Sequence, residues 1–143
     1  MGQINTTKTL PAAPEKVWAK IADVTSWEQW LTIHAGWLEA PPAEITVGAR
    51  LIEKVVMLGM ANKLEWTVDT IVPETQLTIS GTGMAGVKAL FEFNVAPSGD
   101  GETEVVINAN FSGSLVVGAL AKAVEKDALK NLDDSLDKLA ALA

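Results

Sequence analysis

The chain has 143 residues, 48% of them hydrophobic, and carries 18 acidic against 11 basic side chains for a formal charge of −7. One arginine and scattered lysines offer no basic face, which argues against binding nucleic acid through its phosphates, and the absence of cysteine removes disulfides, thiolate metal sites and cysteine nucleophiles. A single domain over residues 1–143 with a sizeable core is expected, no apolar run is long enough to span a bilayer, and the start lacks an apolar leader, so a cytoplasmic protein is expected.

Ile4–Leu10 (INTTKTL) reads as a first strand, rich in threonine and closed by Pro11. Pro14–Asp23 (PEKVWAKIAD) predicts a helix. Proline suits its first turn, Glu15 sits at its positive end, and Val17, Trp18, Ile21 and Val24 recur at helical spacing. Thr25–Trp30 (TSWEQW) predicts a second short helix, capped by Thr25 or Ser26. Six strands follow: Ile33–Ala40, Ala49–Leu58, Asn62–Val72, Thr75–Gly83, Val87–Ala96 and Glu102–Gly113. The breaks between them (APPAEITVG, GMA, PE, MAG and PSGDG) are turn-like. Leu64, Trp66 and Val68 alternate with charged and polar neighbours, as do Ala89, Phe91, Phe93 and Val95, and Val105, Ile107, Ala109 and Phe111. Period-two alternation means a sheet with one covered face, and short connections make it antiparallel. From about Ser114 to Leu139 the chain predicts one long helix. It has no proline and Gly118 as its only glycine, and Leu120, Val124, Ala128, Leu132, Leu136 and Leu139 form its apolar stripe. At about 26 residues it would cross a whole sheet, roughly 39 Å.

This order resembles the START-like, pollen-allergen-like (SRPBCC) superfamily over essentially the whole chain, and within it the bacterial polyketide cyclase/dehydrase-like group. The residues that carry the likeness are APEKVWAKIADVTSWEQWL near the start, VGARL (Val47–Leu51), EWTVDTIVPETQLTISGTG (Glu65–Gly83) and PSGDGETEVVINANFSG (Pro97–Gly113). The resemblance implies an α+β helix-grip fold: a seven-stranded curved antiparallel sheet wrapped around the C-terminal helix, with two short helices between strands 1 and 2. It also implies a cavity for apolar ligands between sheet and helix. Some actinobacterial relatives of this kind are described as toxins of toxin–antitoxin pairs.

Candidate chemistry is sparse. His34 is the only imidazole and no GxSxG elbow exists, which argues against a serine hydrolase. Asp133, Asp134 and Asp137 read as a solvated helix face, and no metal site or cofactor is expected. GTGMAG (Gly81–Gly86) lies between two strands, where a dinucleotide-binding turn has no helix to open, so it reads as a β-turn. A cyclase or dehydratase would need His34, Glu53 and Arg50 to face one ligand as its polar participants. Glu53 shares its alternation with Leu51, Val55 and Met57 and so is expected to face inward. The wider candidate ligand wall is Trp30, His34, Trp37, Met57, Met60, Trp66, Met84, Phe91, Phe93 and Phe111, with Leu120 and Val124 from the last helix. Trp30 and Trp37 are expected near the lip, and the segments Met57–Lys63 and Gly81–Gly86 at the mouth. An ordinary core would use the same residue types. Three functions follow: binding of an apolar small molecule (lipid, fatty acyl, polyketide or aromatic metabolite), a polyketide cyclase/dehydratase, or a toxin acting through a protein partner. A monomer or weak dimer is expected.

Overall fold

Alternation along the chain becomes one sheet of seven strands. The computed structural model describes residues 2–83, 86–113 and 117–143. The strands are β1 (Gly2–Leu10), β2 (His34–Trp37), β3 (Arg50–Met57), β4 (Met60–Val72), β5 (Gln76–Thr82), β6 (Lys88–Pro97) and β7 (Thr103–Ser112). Their order across the sheet is β1-β7-β6-β5-β4-β3-β2, antiparallel throughout. Between β1 and β2 lie α1 (Pro14–Ala22), a 3-10 turn (Val24–Ser26) and α2 (Trp27–Trp30), and α3 (Gly118–Leu142) ends the chain. The curled sheet, the long last helix and the two short early helices are the helix-grip architecture expected from the sequence.

The covered face of the sheet is apolar because period two puts Leu64, Trp66 and Val68, Phe91 and Phe93, and Val105 and Ile107 on one side. All of these are buried. α1 and α2 cover the middle of this face. Trp27 sits between Trp30, Trp37 and Phe93, with ring centroids 6.3, 5.7 and 6.2 Å away. Its indole N–H donates to the Ile21 carbonyl at 3.0 Å, so the last turn of α1 and the start of α2 are pinned together.

Local details depart from expectation in three places. Asp23, rather than Thr25 or Ser26, caps the turn: its carboxylate accepts from the Thr25 amide at 3.1 Å and hydroxyl at 2.6 Å. Ser26 is buried and donates back to the Lys20 and Asp23 carbonyls instead. β2 is four residues long because its register against β3 shifts between His34 and Gly36. α3 starts at Gly118, whose φ of +59° is left-handed and breaks a right-handed helix on its N-terminal side. Ser114, Leu115 and Val116, expected within the helix, lie outside the described residues.

α3 buries Ala121, Ala128, Leu132, Ser135, Leu136 and Leu139. It is tied to β1 by Lys8–Asp137 at 2.7 Å and by a Thr6–Asp133 hydrogen bond. Leu120, expected in the buried stripe, is 44% exposed. At the first turns of α3 only Ala121 is fully buried, Val124 packs partly against the core, and Leu120 stays largely exposed.

One glycine fixes the sheet where it matters most. Gly81 pairs directly with Trp66, and a Cβ built on it would lie 2.7 Å from Trp66 Cε3. Gly81→Ala is expected to lose about 1–3 kcal/mol of stability through overpacking, read by urea unfolding. An unchanged midpoint would mean that the indole yields freely.

Candidate functional site

The unpacked end of α3 and the facing ends of the strands leave a pocket of about 160 Å³. Strand β3 contributes Val55 and Met57, and the turn after it Leu58. Met60, Asn62 and Leu64 come from β4, and Gly83, Val87 and Ala89 from the end of β5 and the start of β6. Phe111 of β7 and Leu120 and Val124 of α3 complete the wall. Asn62 is the only polar side chain among these residues. A dry apolar cavity of about 150 Å³ holds a benzene-sized guest.

The mouth is held by an unusual hairpin. Leu58 and Gly59 join Met57 to Met60 in a two-residue turn with φ of 54° and 73°. Both central residues of such a turn need positive φ, and asparagine, aspartate or glycine usually stands first. Here Leu58 takes that position, its side chain lines the pocket, and its amide donates to Asp127 of α3 at 2.9 Å. Asn131 steadies Asp127 from one turn on, donating to its carbonyl at 2.8 Å. The next turn reaches the α2–β2 connection, where Thr32 donates from its amide to Ser135 at 2.9 Å and from its hydroxyl to the Asn131 carbonyl at 2.7 Å. One face of α3 thus fastens both the mouth and the entry to β2. No local sequence signal marks Asp127 for this contact. The only available hint is Leu-Gly standing where Asn-Gly is usual.

Deeper in, the apolar interior contains one polar cluster. Glu53 is 1% exposed, and both of its carboxyl oxygens are hydrogen-bonded. Trp66 Nε1–H donates to one at 2.8 Å, and His34 Nδ1 bonds the other. The His34 side chain is itself only 2% exposed, and its ring lies 4.7 Å from that of Trp37. The cluster adjoins the pocket through the sheet register. His34 pairs with Val55 and Glu53 pairs with Leu64, and Val55 and Leu64 are both pocket wall.

Of the residues singled out from the sequence, Met57, Met60, Phe111, Leu120 and Val124 meet at the pocket. Met84 lies outside the described residues. Trp30, Trp66, Phe91 and Phe93 do not reach it. Each is at most 1% exposed within the closed aromatic core. Trp30 and Trp37 do not form a lip: their indole N–H groups donate to Ser26 Oγ and to the Val24 carbonyl, both at 3.3 Å. Arg50 is separated from His34 and Glu53. Period two turns it outward with Ile52 and Lys54, and it pairs with Glu65 at 3.3 Å on the exposed face.

A curled seven-stranded sheet closed by a C-terminal helix over an apolar pocket defines the class as a START-like, helix-grip domain. The chain belongs to the family described as polyketide cyclase / dehydrase and lipid transport, which matches residues 1–143. It is 28% identical over 136 residues to Toxin Rv0910 of Mycobacterium tuberculosis (strain ATCC 25618 / H37Rv), covering 95% of this chain and 94% of that protein. It is 23% identical over 142 residues to Uncharacterized protein Rv1546 of the same strain, covering 99% of each. Among solved structures, a START superfamily protein from Mycobacterium smegmatis superposes with a TM-score of 0.81 at 19% identity over 100% of both chains. TTHA0849 from Thermus thermophilus gives 0.76 at 19% identity over 97% of this chain and 94% of that one. These structural likenesses concern the fold. Among the described residues no helix is long and apolar enough to cross a membrane.

Proposed function

We propose that this chain binds a small apolar molecule, such as an aromatic metabolite or the end of an acyl chain, in the pocket between α3 and the ends of β3–β7. The carrying observation is the lining: apolar side chains from four strands, their connections and a helix converge on one space, and Asn62 alone among them is polar. Met57 and Met60 stand on either side of the mouth hairpin, where flexible thioethers adapt to guests of different shape. Removing about 200 Å² of guest surface from water at about 25 cal/mol per Å² contributes about 5 kcal/mol before the costs of association. Small rings should therefore bind weakly, and longer guests that reach past Met60 should bind more tightly.

The test is to fill the space. Val124 lines the pocket from α3 and is only partly buried, so a larger side chain there has room to be accommodated. Val124→Trp is expected to weaken toluene or naphthalene binding at least about tenfold, measured by calorimetry, while thermal unfolding stays cooperative. Full affinity in this variant would sink the proposed pocket.

The cyclase–dehydratase alternative needs His34, Glu53 and Arg50 on one ligand. Arg50 stands on the opposite face of the sheet, so no observation favours that set. The protein-partner alternative rests on the names of Toxin MT0934 and Toxin Rv0910, and no observation among the described residues favours it over the pocket.

A further inference from the structure

The Glu53 cluster is not explained by apolar binding alone. Replacing both partners of a buried hydrogen bond by apolar groups of the same shape can be nearly neutral or stabilising. An acid and an imidazole set between Leu51 and Val55 in an apolar interior are therefore a poor choice for stability alone, and such groups gather where function needs them. The arrangement is also one-sided. Glu53 and Trp66 fix the ring through Nδ1. Among the described residues that is the only hydrogen bond the ring makes. No sealed side-chain polar atom lacks a partner, so Nε2 keeps the small accessible remainder of a side chain that is 2% exposed. The imidazole is thus anchored through Nδ1 and stands next to Val55, its cross-strand partner, just outside the pocket lining.

We propose that His34 Nε2 is the polar anchor of the ligand site, receiving the hydroxyl of a small apolar guest such as a phenol whose ring occupies the pocket. The proposal rests on the apolar-pocket reading above and narrows it to a ligand class. Val55 is at once the cross-strand partner of His34 and a wall of the pocket. The guest displaces this one side chain, and its hydroxyl pairs with Nε2. A phenol hydroxyl suits Nε2 in either of its hydrogen-bonding roles, since it donates to a ring lone pair and accepts from a ring N–H. Specificity of this kind depends on a buried group that is left unpaired by the wrong ligand.

His34 is the only histidine in the chain, so ¹⁵N-labelled protein gives one assignable pair of imidazole nitrogens. Titration with p-cresol is expected to shift Nε2 well beyond Nδ1, and titration with toluene to leave Nε2 in place. Calorimetry is expected to show p-cresol binding about tenfold tighter than toluene, which corresponds to about 1.4 kcal/mol. In His34→Phe the cresol-to-toluene ratio should fall to about one. The inference is overturned if Nε2 does not move at saturating p-cresol, or if the preference survives in His34→Phe; the NMR arm needs no variant to fold. Toluene binding without any preference for cresol defeats the anchor and leaves the apolar pocket standing. If neither compound binds the wild-type chain, the pocket reading itself fails and the anchor falls with it.

Discussion

Glu53→Ala is expected to cost about 2–6 kcal/mol of folding stability, because two buried hydrogen-bonding groups lose their partner at about 1–3 kcal/mol each. The change strands two donors at once: Trp66 Nε1–H and the Nδ1 side of His34 lose their common acceptor in a region closed to water. It also leaves a space beside Leu51 and Val55, two neighbours on the same face of β3. Glu53→Gln keeps the volume and one acceptor oxygen, so its cost should be about 1–3 kcal/mol, the penalty for a single unmade buried bond. The double replacement His34→Phe with Glu53→Leu is the sharper comparison. It removes the acid and the imidazole together, fills their volume with apolar groups, and leaves only the Trp66 N–H without a partner. Its cost should be smaller than that of Glu53→Ala alone, although two residues are changed instead of one. Urea unfolding of the three variants measures this order directly. A Glu53→Ala loss below about 1 kcal/mol would mean that water or a neighbour takes the place of the carboxylate.

Much of this architecture can be read in the sequence because it follows from periodicity. Alternation in β4, β6 and β7 names the inward residues correctly, since a one-residue slip would turn every side chain to the wrong face. The same rule predicts that Glu53 faces inward with Leu51, Val55 and Met57, as it does. It also separates Arg50 from Glu53, since the two positions differ by an odd number of residues. What periodicity does not contain is the register between distant segments. The His34–Glu53 bond spans 19 residues of sequence and depends on a shift in pairing between His34 and Gly36. The Asp127–Leu58 contact spans 69 and depends on where a 25-residue helix crosses the sheet. The start of α3 escapes the periodic pattern for a different reason. The apolar stripe continues through Leu120, but a left-handed glycine and an empty space beneath the first turns alter what that stripe does.

Trp30→Ala is expected to be among the most destabilising single changes in the chain, at about 3–5 kcal/mol, without Trp30 having any part in ligand binding. From the sequence alone Trp30 fits a binding lip as well as a core, because three tryptophans and the only histidine fall between Ser26 and Trp37. The structure distinguishes the two roles by burial and by partners. Trp30 is 1% exposed, packs edge-on against Trp27 and Phe93 with centroids 6.3 Å from each, and spends its N–H on Ser26. Truncation therefore opens a cavity between Trp27, whose ring is held by its bond to Ile21, and the buried Phe93, a closely packed setting with little room to collapse, in which large-to-small losses are greatest. Trp30→Phe keeps most of the packing and gives up only the bond to Ser26, so it should fold at a cost of about 1–2 kcal/mol. Its affinity for toluene and p-cresol should match that of the wild type within about twofold, because none of the pocket wall is supplied by Trp30. A Trp30→Phe variant that folds normally but loses the ligand would return Trp30 to the binding surface and move the site away from α3, toward α2 and the middle of the sheet.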